Sequence, residues 1–239
     1  MDFGILFVLI GLMAFLYASV GHGGASGYLA VMAIFAIAPP VMKQTALMLN
    51  LGVSLLAFYQ FYQKGHFRFK LFWPFALTSV PMSYVGAQFV LSDANYKRIL
   101  GLCLFIAIIR MLVNFKSGEQ RQLSLFVALI FGAFIGLLSG MIGIGGGIIL
   151  SPVLLLMRWA SLKEAAAVSA LFIFVNSVAG LLGIKQWIQV DQSIIFWISS
   201  ALVGGIFGAR WGAHFASNKA IRYVLALVLL IASVKLWFV

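Results

Sequence analysis

The sequence predicts an all-α integral membrane protein built from two inverted repeats of about five hydrophobic helical segments each, with short or broken helices after two glycine-rich stretches. Three observations predict this. Of 239 residues, 64% are hydrophobic and 9% charged, at a mean hydropathy of +1.11, which lies beyond the range of a soluble domain. Apolar runs of roughly 17 to 25 residues, each long enough to cross hydrocarbon about 30 Å thick, recur along the whole chain. Finally, "SVGHGGASGYLAV" at 19–31 and "GMIGIGGGIILSPVLLL" at 140–156 interrupt such runs with nearly bare glycine backbone and then resume them at once.

The runs are apolar on all sides rather than alternating, so helices and not a barrel satisfy the backbone in lipid. Ten segments follow, near 3–20, 26–38, 42–62, 70–91, 97–115, 122–140, 147–158, 162–183, 190–212 and 219–238. The first lacks the basic flank of a signal peptide and carries Asp2 instead, so it is expected to be a retained helix. Segments two and seven are short, and each follows a glycine stretch. Pro39-Pro40 ends the second and Pro152 falls inside the seventh, as expected of short or broken helices. The polar stretch "NFKSGEQRQ" at 114–122 divides the chain into a first transmembrane repeat (1–115), a linker (116–121) and a second repeat (122–239).

The two halves echo one another at an offset of 122 residues. Gly21, Gly23 and Gly24 match Gly143, Gly145 and Gly146, "GAQ" at 86 matches "GAR" at 208, and Lys97 and Ile99 match Lys219 and Ile221. Basic residues then orient the bundle. If all ten segments cross, one side holds nine of them (Lys64, Arg68, Lys70, Lys116, Arg121, Arg158, Lys163, Lys219 and Arg222) and the other five (Lys43, Lys97, Arg98, Lys185 and Lys235). If the short segments dip in and return, the same residues divide evenly. The positive-inside rule therefore prefers five crossings per half, both termini outside the cytoplasm and inverted repeats.

Unwound backbone at membrane depth is tolerated only where protein buries it or where it lines a wet cavity. Glycine permits the positive φ values that turn successive amides into an anion-binding nest, and a helix starting straight afterwards adds unpaired N–H groups and a positive dipole end. The expected substrate-binding elements are thus Gly21, His22, Gly23, Gly24 and Ser26 in the first half, and Gly143, Gly145, Gly146 and Gly147 in the second. Close helix packing is the competing use of such glycines. Polar residues within the third and eighth segments, Asn50, Ser54, Ser169 and Asn176, are candidate hydrogen-bond donors along the path; bonding between helices is their alternative role.

Other chemistries find no footing in the sequence. The five acidic residues, Asp2, Asp93, Glu119, Glu164 and Asp191, lie at segment ends or in loops, so no carboxylate is placed mid-span for proton pumping. The lone Cys103 excludes an intrachain disulfide, and no metal-ligand cluster, catalytic triad or "GxxxxGK" phosphate loop occurs; no cofactor and no enzymatic activity are expected. The net charge of +11 is scattered over short loops, which argues against nucleic acid. The expected partners are the lipid bilayer, a small anion and a coupling ion, proton or sodium, with a homo-oligomer left open. A passive anion channel and a membrane-embedded enzyme are the alternatives.

"GIGGGIILSPVLLL", the degenerate "GHGGASGYLAV", and the polar-started runs "MKQTALMLNLGVSLLAFYQ" and "SLKEAAAVSALFIFVNSVAGLLG" that follow them resemble the TauE/SafE sulfite exporter family over essentially the whole chain. The resemblance implies a bacterial-type inner-membrane permease for sulfite, sulfonates or related organosulfur anions, with about eight spans in two repeats. His22 and Ala25 within the first glycine stretch, and the lack there of a proline matching Pro152, depart from the family's pattern.

Overall fold

A computed structural model describes residues 3–19, 23–112, 120–189, 192–214 and 219–238. These form ten α-helices and, among the described residues, no strand: α1 (Phe3–Ser19), α2 (Ala25–Ile34), α3 (Pro39–Gln63), α4 (Phe69–Ala87), α5 (Asp93–Leu112), α6 (Leu125–Ile142), α7 (Gly147–Leu156), α8 (Leu162–Gly183), α9 (Gln192–His214) and α10 (Lys219–Phe238). They coincide with the ten apolar segments apart from their ends. Pro39 and Pro40 open α3 rather than close α2, because proline lacks only an N–H that the first helical turn leaves unpaired anyway. α2 stops earlier, at Ile34, and Ala36 turns the chain with a φ of +54°.

α8 starts with a capping box in which the Ser161 hydroxyl accepts from the Glu164 N–H and the Glu164 carboxylate accepts from the Ser161 N–H. Ser161→Ala is expected to lower stability by about 1 kcal/mol, read as a small drop in the thermal midpoint of the detergent-purified protein, without altering transport. An unchanged midpoint would mean that the rim of the bundle already holds α8 in place.

Two tight seams organise the bundle. α4 runs alongside α6, and α1 alongside α9, with glycines on one helix lying against carbonyl oxygens of the other. The seams correspond residue by residue at the offset of 122. Gly86 abuts the Leu137 carbonyl as Gly208 abuts that of Phe15, and the Thr78 hydroxyl donates to the Leu129 carbonyl (2.8 Å) as the Ser200 hydroxyl donates to that of Phe7 (2.6 Å). Between the seams, α3 and α8 pack antiparallel: Leu47 meets Gly180, and Asn50 meets Ser177. α5 packs on α10, where the Ser233 hydroxyl donates to the Gly101 carbonyl.

Long-range hydrogen bonds gather the helix ends into two rims. At one, Lys43 Nζ donates to the Ala87 carbonyl at the end of α4, Tyr96 to Ile142, Lys235 to Ile34, and Gln44 exchanges two bonds with Ile188. At the other, Arg68, Gln120 and Glu164 form an exposed network, and the Arg121 N–H donates to the Arg158 carbonyl. An isolated surface pair such as Arg68–Glu164, at 3.2 Å, contributes only about 0–1 kcal/mol. The outer face is hydrocarbon: Val8, Leu77, Phe126, Leu182 and Phe207 are all well exposed, as suits a lipid boundary and not water. α3, α6 and α8 are, by length and composition, apolar and long enough to cross a membrane. With ten residues each, α2 and α7 rise only about 15 Å, half a bilayer core.

Candidate functional site

The reason for two half-length helices lies at their N-termini. α7 starts at Gly147, preceded by Gly143, Gly145 and Gly146 with φ values of +81°, +75° and +77°. Three left-handed residues in four are accessible to glycine at little cost, and they end α6, reverse the chain and aim it inward. The Gly143 N–H still serves α6, donating to the Ser139 carbonyl, whereas the N–H groups of Gly145 to Ile148 have no protein acceptor among the described residues. α2 starts likewise, its first backbone bond among the described residues running from the Tyr28 N–H to the Gly24 carbonyl and leaving the amides of Ala25, Ser26 and Gly27 without an acceptor among them.

The two glycine stretches meet at one side chain. A Cβ placed on Gly23 would lie 3.0 Å from Ile173 Cδ1, one on Gly145 2.8 Å from Ile173 Cγ2, and one on Gly147 2.5 Å from Ile173 Cδ1. Ile173 is midway along α8. Gly23 also faces Ser54, and Gly145 faces Asn50 and Ser177, both near the middle of α3 and α8. The convergence is therefore at mid-depth of the two longest-buried helices. Among the described residues the one buried charged side chain is Lys43, and it sits towards the rim with its ammonium on the Ala87 carbonyl. Among the described residues, positive potential at the convergence comes from oriented peptide groups, about half a charge per helix end.

Of the residues expected from sequence, Gly23, Gly145, Gly147, Asn50 and Ser54 come together here, and Ser169 is adjacent, its carbonyl 3.2 Å from the Cβ position of Gly147. Gly143 lies against the Lys43 backbone, and Gly146 against Ile135 and Phe172. Gly21 and His22 fall outside the described residues. The Ser26 hydroxyl is engaged with α1, pairing with that of Tyr17 at 2.7 Å.

The side chains expected to donate are already engaged. Ser54 donates to the Asn50 carbonyl, Ser169 pairs with Ser151 at 2.7 Å, and Asn176 Nδ2 donates to the Phe172 carbonyl at 2.8 Å. Asn50 Nδ2 reaches Ser177 Oγ at 3.4 Å. The Oδ1 of each asparagine is buried without a partner, and the backbone N–H groups at the two helix starts remain available as donors. Ser151, the partner of Ser169, carried no sequence signal because its hydroxyl also bonds one turn back to Gly147, a contact that any helical serine offers.

Comparison with known proteins places these features in a wider group. The family model described as sulfite exporter TauE/SafE matches residues 6–236. A protein of Sinorhizobium fredii named probable membrane transporter protein y4hK is 35% identical over 231 residues, covering 94% of each chain. One of Bacillus subtilis, named probable membrane transporter protein YdhB, is 26% identical over 223 residues, covering 89% of this chain and 90% of its own. No solved structure matches the chain.

Proposed function

The chain belongs to the TauE/SafE family, and from that premise we propose that this membrane transporter is a secondary carrier of a small sulfur oxyanion, sulfite or a sulfonate, exporting it across a bacterial-type inner membrane. The observation that carries the reading is the meeting of Gly23, Gly145 and Gly147 at Ile173, which brings two helix N-termini to the centre of the bundle. Unpaired amides and two dipole ends attract an anion without a buried fixed charge. A carrier gains from that economy, because a lysine or arginine at the same depth would bind the anion too tightly to release it and would itself need solvating in the empty state. The driving ion in this reading is a proton or sodium.

Inverted repeats provide the route to alternating access. Two features support them: the seam contacts recur at the offset of 122, and α3 and α8, which that offset superposes, run antiparallel. A two-fold axis relating antiparallel helices lies perpendicular to them, hence in the plane of the membrane. The rims support the orientation, for Lys64, Arg68, Lys70, Arg121, Arg158 and Lys163 belong with the Arg68–Glu164 end. That end is the cytoplasmic one under the positive-inside rule, leaving both termini outside.

Reconstitution tests the carrier. Labelled sulfite should enter proteoliposomes down an imposed gradient and saturate with concentration; a non-saturating, voltage-dependent conductance would instead identify a channel. Orientation is tested separately in a Cys103→Ala background, where an impermeant maleimide is expected to reach Lys185→Cys in intact cells but Lys64→Cys only after permeabilisation. Labelling of both from the same side would overturn the topology.

A further inference from the structure

Among the described residues, Tyr28 is the polar side chain that leans onto the α2 N-terminus and finds nothing to bond. It is fully buried, and its hydroxyl has no hydrogen-bond partner. The reason for its position is helical geometry: side chains tilt towards the N-terminus, so a residue four places on covers the cap. A Cβ added to Gly24, the N-cap, would lie 2.5 Å from both Tyr28 Oη and Tyr28 Cζ, so the phenol occupies the space that any other residue at 24 would need. Beside it the Tyr17 and Ser26 hydroxyls satisfy one another.

The chemistry of this corner is lopsided. The α2 cap presents the amides of Ala25, Ser26 and Gly27, which have no acceptor among the described residues, and the Gly24 carbonyl accepts from the Tyr28 N–H. The Tyr28 hydroxyl beside Gly24 has no hydrogen-bond partner, and a buried orphan of this kind is unfavourable unless a ligand meets it. An oxyanion oxygen supplies the acceptor for all of them at once. The equivalent position in the second half, at the offset of 122, is Leu150, so only the α2 side has such a group.

We propose that the Tyr28 hydroxyl donates directly to the bound oxyanion, completing with the α2 amides a subsite for one of its oxygens and making Tyr28 a specificity-determining residue of the carrier. This rests on the anion reading of the site. Gly24 is then a glycine chiefly to make room for that phenol and its ligand.

The test uses the full chain purified in detergent, with sulfite and methanesulfonate as probes and thermal unfolding as the readout, since a ligand of the folded state raises its midpoint. Tyr28→Phe removes one oxygen and keeps the ring. The expected result is a ligand-free midpoint equal to or above that of the wild type, because the orphan is gone, together with a rise of about tenfold to a hundredfold in the probe concentration needed for a half-maximal shift. Gly24→Ala, which displaces the phenol while keeping the hydroxyl, is expected to weaken the same response and serves if the first variant is not recovered folded. Wild-type probe affinity in the phenylalanine variant, or in the alanine variant should that one be needed, overturns the role of Tyr28 alone. If the wild-type protein responds to neither probe, the anion reading itself fails, and this subsite with it.

Discussion

Gly146→Val is expected to reduce sulfite flux in proteoliposomes to background. The residue sits at φ +77°, and a β-branched side chain there carries a backbone penalty of about 1–3 kcal/mol. Its Cβ would in addition lie 2.8 Å from Ile135 and 2.9 Å from Phe172, buried side chains on α6 and α8 that must both give way. The chain can relieve this by rotating the Gly145 and Gly146 peptides out of the left-handed region, and that rotation re-aims the unpaired amides on which the proposed anion site depends. Because the fold as a whole is held by seams elsewhere, the variant is expected to be extracted and to melt as a folded protein while failing to move or bind the anion. Wild-type flux in the valine variant would remove the amide mechanism altogether.

The second large effect is structural. Gly136→Val is expected to prevent accumulation of folded protein, or to lower its midpoint by roughly 10 °C if some is recovered. A Cβ at Gly136 runs into the Ser79 carbonyl oxygen and lies 2.5 Å from Ser79 Cα. Those are backbone atoms of α4, so no rotamer change relieves the clash and the helices must separate. Overpacking against movable side chains already carries about 1–3 kcal/mol, and here Gly132 and Gly140, one turn to either side, make the same close approach to Phe75 and Ser83. The control is Gly4→Ala on α1, where a Cβ meets nothing within 4 Å and no loss is expected. Equal tolerance at 4 and 136 would show that the α4–α6 seam is not what holds this half together.

Much of the architecture was legible because it is encoded locally. Ten apolar runs became ten helices, since lipid leaves the backbone no other partner, and both glycine stretches sit where short helices begin. The ends were less legible. Pro39-Pro40 reads equally well as the stop of one helix or the start of the next, and only the backbone of α3 decides between them. Gly23 and Gly145 were recognisable from the repeat at the offset of 122, Gly147 from the glycine run beside it, and Asn50 and Ser54 from their shared helix face. Their hydrogen bonds were not, because Asn50–Ser177 and Ser83–Asn176 join residues far apart in the chain and no local pattern reports such pairs. Tyr28 was hidden for another reason: an aromatic in an apolar run resembles core, and its meaning depends on a hydroxyl left unpartnered over Gly24.

Ile173, the branched side chain against which Gly23, Gly145 and Gly147 all rest, has a consequence for leakage. A constriction sealed by aliphatic carbon expels water, and a dewetted neck is a steep barrier to protons and hydrated ions even where the surrounding electrostatics invite negative charge. In the carrier we propose, solute passage would then be tied to displacement of α8 relative to the two loops, and hydrocarbon instead of a charged latch would preserve the membrane potential between turnovers.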